Sequence, residues 1–157
     1  MHKPLTHRVG ARRPAGGLLW LITLTCGCSP GVQWRGYTFD PVYADSRRDQ
    51  KLTFVYFRHW AVTACTDFEE KVLKHPAVLQ ELHSGGAFYC AVLDFLLDRP
   101  LADQWQIAAP PGVVILAPDE RVLAKLDGAI TADDLLKALR AAKEAAPVAT
   151  RSARTGP

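Results

Sequence analysis

The sequence predicts an α/β fold in which helices cover a central mixed β-sheet. A buried strand, a helix and a second strand follow one another within about 45 residues, a spacing typical of a right-handed βαβ unit with parallel strands. Two further strand-like runs then flank a tight turn and precede a final helix, which predicts an antiparallel hairpin. The 157 residues are enough for one domain with its own apolar core.

The βαβ unit is predicted from residue 52 onward. Residues 52–57 are β-branched and aromatic, as in a strand buried on both faces. A helix is predicted over residues 65–83, because apolar residues recur at helical spacing, with Pro76 as a kink and the Ser-Gly-Gly run after it as the stop. The second strand is predicted over residues 87–94, which are mostly apolar.

The second half of the domain is predicted to contain a short helix, the hairpin and a closing helix. The short helix lies around residues 101–106, and the hairpin joins residues 113–116 to residues 122–126 across a Pro-Asp-containing turn. Thr131 is the expected cap of a last helix over residues 132–144, whose first turn carries two acidic residues and whose core stripe is made of leucines.

The first 28 residues are expected to be a leader for export. They contain four basic residues and no acidic one, followed by an apolar run at residues 18–25. That run is shorter than the roughly 20 residues that a membrane-spanning helix needs. The pattern is typical of a secretory signal peptide, and an uncleaved amino-terminal anchor is the alternative.

The end of this leader resembles the lipobox of bacterial lipoproteins. Gly27 directly precedes Cys28, which makes Cys28 the candidate for lipidation, although Thr25 stands where a lipobox usually has leucine. Cys26 is the poorer candidate. The resemblance implies an exported protein of the periplasm or cell envelope that is held at the membrane by a lipid anchor.

Charge argues against nucleic acid as a partner. The chain has a net charge of +3, but four of its 19 basic residues lie in the leader, which leaves 15 against 16 acidic residues. No basic patch remains of the kind that binds nucleic acid. We therefore expect a protein or peptide partner, no nucleic acid, and membrane contact only through the lipid anchor.

The rest of the chain divides into a linker, one domain and a tail. Residues 29–47 are interpreted as a linker, with a possible short amphipathic helix over residues 41–49 that packs aromatic side chains on the domain. The domain itself is expected over residues 48–145, and residues 146–157 are expected to be a disordered polar tail.

A single cysteine marks the candidate site. Cys65 follows the first strand at the start of a predicted helix, where thiol–disulfide enzymes carry a Cys-x-x-Cys motif. A motif ending at Cys65 would need a cysteine at position 62, and that residue is Val62. The position of the thiol thus indicates redox chemistry, while the composition lacks half of the motif.

Element order and local motifs resemble thioredoxin-like proteins. The run from Tyr56 to Cys65 matches the family's approach to its second active-site cysteine, and Ala64-Cys65-x-x-Phe68-Glu69 with Pro76-x-Val78 is similar to the carboxy-terminal periplasmic domain of thiol:disulfide interchange proteins. The resemblance implies a three-layer sandwich. It also implies that Pro111 follows a cis peptide bond, with a trans proline in an ordinary loop as the alternative.

Four positions depart from that family's pattern. Val62 replaces the nucleophilic cysteine, Ala61 replaces the tryptophan beside it, Tyr56 replaces a buried acid, and Gly112 replaces the threonine after the cis-proline. A disulfide oxidoreductase forms a mixed disulfide through its first cysteine and resolves it with the second. A dithiol cycle is therefore not possible here.

Two readings of Cys65 stay open. A helix N-terminus, with Arg58 and His59 just upstream, favours a reactive thiolate, whereas burial in apolar surroundings favours an inert thiol. Cys90 is expected to be an ordinary core residue. It lies too far before the end of its strand to bridge to Cys65.

Metal and cofactor chemistry are not expected. His59 and Cys65 are the only neighbouring soft ligands in the motif region, which is too few for a site. His75 and His83 fall on the predicted helix and are expected to face solvent. We predict no metal and no cofactor.

Three functions are compatible with these residues. In the first, a degenerate domain binds an extended peptide in a groove formed by Trp60, Val62, Pro111 and Gly112, with backbone pairing as in strand addition. In the second, Cys65 alone carries out monothiol exchange. The third is a structural role in the envelope.

Overall fold

The computed structural model describes residues 31–146, which form a five-stranded sheet with helices on both faces. The strand order across the sheet is β1-β3-β2-β4-β5. The strands are β1 Trp34–Gly36, β2 Leu52–Arg58, β3 Phe88–Asp94, β4 Gly112–Leu116 and β5 Val122–Asp127.

The sheet is mixed, as the sequence predicts. β1 and β2 both run parallel to β3, whereas β4 runs antiparallel to β2 and to β5. The central strand β2 is buried over residues 52–57, which confirms that both of its faces are covered. The βαβ unit and the hairpin are therefore both present, and the predicted α/β class is confirmed.

Five α-helices, one π-helical segment and the short 3-10 helix Ser84–Gly86 accompany the strands within residues 31–146. The capping box of the last helix is formed as expected: the Thr131 hydroxyl accepts from the backbone N–H of Asp134 at 3.2 Å, and the Asp134 carboxylate accepts from the backbone N–H of Thr131 at 3.2 Å. The helices are α1 Phe39–Arg48, α2 Thr63–Phe68, the π-helical Glu69–Leu73, α3 Pro76–His83, α4 Arg99–Gln104 and α5 Ala132–Ala145.

Two apolar clusters separate the three layers. One lies between the sheet and α2, α3 and α5, and it contains Phe54, Tyr56 and Leu139. The other lies on the opposite face under α1 and α4, and it contains Phe57 and Trp105. Alternate residues of β2 thus enter opposite clusters, because successive side chains of a strand point to opposite faces.

The segment interpreted as a linker is instead part of the fold, so the predicted boundary at residue 48 is wrong. β1 pairs with β3 at the sheet edge, and α1 buries Phe39, Val42 and Tyr43. The Tyr43 hydroxyl donates to the carbonyl of Pro118 at 3.0 Å. A three-residue strand has too short a sequence pattern to recognise, because it is defined by its pairing with β3.

The long helix predicted over residues 65–83 is divided. The first part begins at Thr63, continues through the π-helical segment and ends before His75. His75 has an extended backbone (φ −63°, ψ 127°) and directly precedes Pro76. A residue before proline is disfavoured in the α conformation, so Pro76 starts a new helix and does not kink a continuous one.

The predicted leader, with Cys28, and the predicted tail from residue 147 lie outside the described residues. Within residues 31–146, no helix is both long and apolar enough to cross a membrane.

Candidate functional site

The candidate site lies where the carboxyl end of β2 meets the amino end of β4. Phe57 is the register partner of Gly112, so the loop that leaves β2 begins beside the segment that carries Pro111. The Pro110–Pro111 peptide bond is cis. Sheet topology therefore brings together two loops that are about 50 residues apart in sequence.

Cys65 is buried in the first turn of α2, with only 2% of its surface exposed. The backbone N–H of His59 donates to its Sγ at 3.4 Å, and its own N–H donates to the carbonyl of Val62 at 2.9 Å. Val62 is the residue that precedes the helix and is half-buried. The thiol therefore lies under the loop, and a valine occupies the position nearer to solvent.

Trp60 projects from the same loop, with 78% of its surface exposed. Its ring packs edge-on against His59 at 5.9 Å between ring centroids. The turn that follows the neighbouring strand β3 contains two further exposed apolar residues, Leu96 at 57% and Leu97 at 85%. The backbone N–H of Phe95 donates to the carbonyl of Arg58 at 2.7 Å. Trp60, Leu96 and Leu97 therefore all follow the carboxyl ends of β2 and β3, at the same end of the sheet.

A polar network lies inside the fold next to Cys65. The Tyr56 hydroxyl donates to Oε1 of Glu69 at 3.2 Å and has a longer contact of 3.5 Å with the carbonyl oxygen of Cys65. Arg58 completes the network, with its Nε 3.4 Å from the same Glu69 oxygen. Burial raises the pKa of Tyr56 far above its ordinary value of 10.0, and neighbouring Cys65 and Glu69 raise it further. The Tyr56 hydroxyl therefore stays a hydrogen-bond donor at pH values at which an exposed tyrosine ionises.

Glu69 is the site residue that the sequence interpretation missed. The sequence pattern places it in the Ala64-Cys65-x-x-Phe68-Glu69 motif without indicating a role. Its spacing of four residues from Cys65 was the available signal, since residues four apart lie on one face of a helix.

A cavity of about 430 Å³ lies beside Pro111, between α2 and the start of α5. Its lining is mainly apolar and includes Ala64, Phe68 and Ile130. The charged pair at its rim, Asp67 and Lys71, is joined at 3.0 Å. The volume is sufficient for an apolar side chain of a bound partner.

Gly112 occupies a different position from the one expected. It is buried in β4 between Phe57 of β2 and Asp127 of β5, so its backbone belongs to the sheet. A Cβ atom at this position would lie 2.4 Å from Cγ2 of Ile107. The glycine therefore permits close packing against Ile107.

Cys90 belongs to the apolar core and not to the site. It is buried in β3 opposite Phe54, four residues before the end of the β2 ladder. Burial raises the pKa of Cys90 from its ordinary value of 9.0 to about 12. Both cysteines of the described region are free thiols.

The structure contains no cluster of three or more His, Cys, Asp or Glu side chains suited to a metal within residues 31–146. His59 contributes its backbone N–H to Cys65, and its Nδ1 is buried without a hydrogen-bond partner. His75 is exposed, whereas His83 is half-buried, with its Nε2 also buried and unpartnered.

No protein family and no curated protein sequence matches this chain. Solved structures do match it. A thioredoxin from Thermus thermophilus is 23% identical with a TM-score of 0.60, covering 68% of this chain and 85% of its own. A protein described as DsbH oxidoreductase is 16% identical with a TM-score of 0.58, covering 86% of this chain and 95% of its own. The oxidised carboxy-terminal domain of DsbD from Neisseria meningitidis is 19% identical with a TM-score of 0.51, covering 62% of this chain and 85% of its own. The chain therefore has the thioredoxin-like fold.

Proposed function

We propose that this chain is an exported protein of the thioredoxin-like fold that binds an extended polypeptide and does not run a dithiol cycle. One contrast within a single loop carries the proposal. Cys65 is 2% exposed, whereas Trp60, five residues earlier, is 78% exposed. The Trp60 ring is therefore accessible to a partner, whereas the Cys65 thiol in the first turn of α2 is not.

Position 62 supports the same conclusion. Dithiol exchange needs an accessible first thiolate to attack the substrate disulfide and a second thiol to release the mixed disulfide. Val62 has no thiol, and the buried Cys65 cannot take the first role without movement of the loop. Binding is the part of the family's behaviour that these residues can retain.

The apolar surfaces near the loop are suited to a peptide. Trp60 and Leu97 are large and mostly exposed, and tryptophan is a typical anchor in protein–protein contacts. The cavity beside Pro111 offers a separate apolar recess next to Ala64. A bound segment would lay one side chain in this recess and others against Trp60.

Backbone pairing would use the segment before β4. Ala109 is exposed, and no hydrogen bond within residues 31–146 involves its N–H or carbonyl group. Pro110 and Pro111 have no N–H, and the Pro111 carbonyl already accepts from Gly128 at 3.0 Å. Ala109 is thus the position that has both a donor and an acceptor for an extended partner.

Binding of an unfolded polypeptide tests this function. The probe is a reduced and carboxymethylated chain with a fluorescent label, titrated with the protein and followed by anisotropy. Trp60→Ala should weaken binding about fivefold or more, because aromatic anchors dominate such contacts. Val122→Ala is the matched control. Val122 is exposed, and it pairs with Leu116 at the end of β4 that lies away from Gly112 and the Trp60 loop.

Cys65→Ser should leave this affinity unchanged. Equal affinities for the wild-type protein and Trp60→Ala would contradict the proposal. A loss caused by Cys65→Ser would do the same, because it would show that the thiol is required.

The alternative is a monothiol oxidoreductase, and the surroundings of the sulfur favour it in one respect. The N–H of His59 donates to Cys65 Sγ at 3.4 Å, an interaction that would stabilise a thiolate. In this cycle, the thiolate attacks a partner disulfide, one partner sulfur leaves as a thiolate, and a small thiol compound then releases Cys65 by attacking the mixed disulfide.

The proposed location is the periplasm or cell envelope, with lipid attached to Cys28. Cys28→Ala should abolish incorporation of an alkynyl fatty acid and move the protein from the detergent phase to the aqueous phase of a Triton X-114 extraction. Cys26→Ala is the matched control and should retain label. Equal labelling of the wild-type protein and Cys28→Ala would contradict lipidation at that residue.

A further inference from the structure

A second cavity lies at the end of the sheet away from Cys65. Its volume is about 570 Å³, and it is lined by the start of β1 and β3, the end of α3 and Lys51. Lys51 directly precedes β2, whereas Cys65 follows the strand's other end. At ~3.3 Å per residue, the seven residues of β2 separate the two places by roughly 20 Å.

Two cationic side chains converge in this cavity. The guanidinium carbon of Arg35 lies 3.7 Å from the ring centroid of Tyr89, and the ammonium of Lys51 lies 4.7 Å from the same centroid. Arg35 and Lys51 both contact the Tyr89 ring, so the distance between their positive charges cannot exceed the sum of these two distances. Like charges so close raise each other's energy unless an anion lies nearby.

The protein does not neutralise these charges directly. Within residues 31–146, neither Arg35 nor Lys51 has a carboxylate oxygen within 4.0 Å, and no Asp or Glu lines the cavity. Asp49 accepts from the Tyr89 hydroxyl and is paired with Arg48 at 3.0 Å. Arg48 is the main cause that lowers the pKa of the Asp49 carboxyl, and Lys51 makes a smaller contribution. The cavity beside Pro111, by contrast, includes Asp67 in its lining.

The amide of Gln33 adds hydrogen-bonding capacity to the lining of the cavity. His83 lines it as well, with its Nε2 buried and without a hydrogen-bond partner. Gly86 closes one side in a left-handed conformation (φ +60°), and a Cβ there would lie 3.4 Å from the Lys51 ammonium. The absence of a side chain at Gly86 leaves room around that ammonium.

We propose that this cavity binds a phosphate group. Two cations that both contact the Tyr89 ring match an anion of charge about −1.5 to −2 better than they match a singly charged carboxylate. The planar guanidinium of Arg35 suits the geometry of phosphate oxygens, and Lys51 supplies a point charge. The ligand is either a soluble phosphorylated compound or the headgroup of an anionic lipid.

Calorimetric titration with inorganic pyrophosphate at low ionic strength tests the site. The double variant Arg35→Gln/Lys51→Gln should bind about tenfold more weakly or worse, because it loses both charged contacts. The matched control Lys125→Gln/Lys137→Gln removes the same charge from exposed positions elsewhere and should bind as the wild-type protein does. The charge-preserving pair Arg35→Lys/Lys51→Arg should retain most of the affinity.

Sedimentation with vesicles identifies the source of the phosphate. The arms are phosphatidylcholine vesicles with and without phosphatidylglycerol, using the mature chain with Cys28→Ala so that no lipid anchor contributes. Binding of pyrophosphate alone identifies a soluble ligand, and Arg35- and Lys51-dependent binding to anionic vesicles identifies a headgroup. Either result supports the site.

Two results would overturn the proposed phosphate site. One is the absence of binding both to pyrophosphate and to anionic vesicles; the other is a loss of affinity in Lys125→Gln/Lys137→Gln equal to that in Arg35→Gln/Lys51→Gln. Unchanged circular dichroism melting of each variant excludes misfolding as the cause. The Trp60-dependent polypeptide assay should be unaffected by Arg35→Gln/Lys51→Gln, so failure of this inference is distinguishable from failure of the proposed function.

Discussion

The Tyr56 hydroxyl donates to Glu69 at 3.2 Å inside the fold, and the carbonyl of Cys65 lies 3.5 Å from the same hydroxyl. This relationship joins the central strand to the helix that carries the thiol. Arg58 approaches the same Glu69 oxygen, with its Nε at 3.4 Å. The network therefore fixes the position of the first turn of α2 relative to the sheet.

Tyr56→Phe should destabilise the fold by about 1 kcal/mol, because it removes a buried hydrogen bond while keeping the ring. Urea unfolding followed by circular dichroism measures the change. Glu69→Gln keeps an acceptor for the phenol and should cost less. A larger loss for Glu69→Gln than for Tyr56→Phe would show that the Arg58 contact matters more.

The same residue predicts a response to alkaline pH. The pKa of Tyr56 is raised in the folded state, so above about pH 10 the unfolded chain loses this proton while the folded chain keeps it. The stability contributed by the neutral phenol is complete below that pH and is lost as pH rises. The free energy of unfolding should thus fall less steeply above pH 10 in Tyr56→Phe than in the wild-type protein, and parallel curves would contradict this.

We expect the Cys65 thiol to be unreactive in the folded protein. Its 2% exposure predicts slow labelling by iodoacetamide near pH 6, with mass spectrometry after tryptic digestion as the readout. Insulin reduction by dithiothreitol should proceed at the same rate with the wild-type protein and with Cys65→Ser. Rapid labelling, or a rate that depends on Cys65, would favour the monothiol alternative.

Val62→Cys should restore a redox-active pair. Positions 62 and 65 lie on the first turn of α2, where the Cys65 N–H donates to the Val62 carbonyl at 2.9 Å. With oxidised glutathione, the two thiols should form one disulfide while glutathione disulfide is reduced to two thiols. Thiol counting and insulin reduction measure the gain. Val62→Ala is the control, and an unchanged thiol count in Val62→Cys would show that the first turn cannot close the bond.

Gly112→Ala should destabilise the protein by about 1–3 kcal/mol, because the added methyl group overpacks a filled core. The new Cβ would lie 2.4 Å from Ile107. Thermal melting of Gly31→Ala provides the comparison, since nothing lies within 4 Å of that position and its backbone is exposed. Equal melting temperatures for the two variants would contradict the packing role.

The parts of the fold with strong local patterns were predictable. β2 is a continuous apolar run, and α5 has both its cap and its leucine stripe, so each pattern is complete within its own segment. β1 was missed because a three-residue strand exists only through pairing with β3. The interruption before Pro76 was underestimated because the apolar spacing continues across it.

The site was predictable only where spacing carried information. Cys65 and Trp60 could be placed on one loop from their distance to the first strand. The contact between Tyr56 and Glu69 depends on how α2 packs on the sheet, which a sequence pattern does not define. The role of Gly112 likewise depends on Ile107, a residue from a separate loop.

The position of β1 has a consequence for any shortened form of the chain. β1 covers the outer edge of β3, and α1 covers aromatic side chains of the second cluster, including Trp105. A chain that begins at residue 48 would leave the long, apolar strand β3 with unpaired backbone groups. Exposed edges of this kind join to other sheets, so such a truncated protein should self-associate through β3.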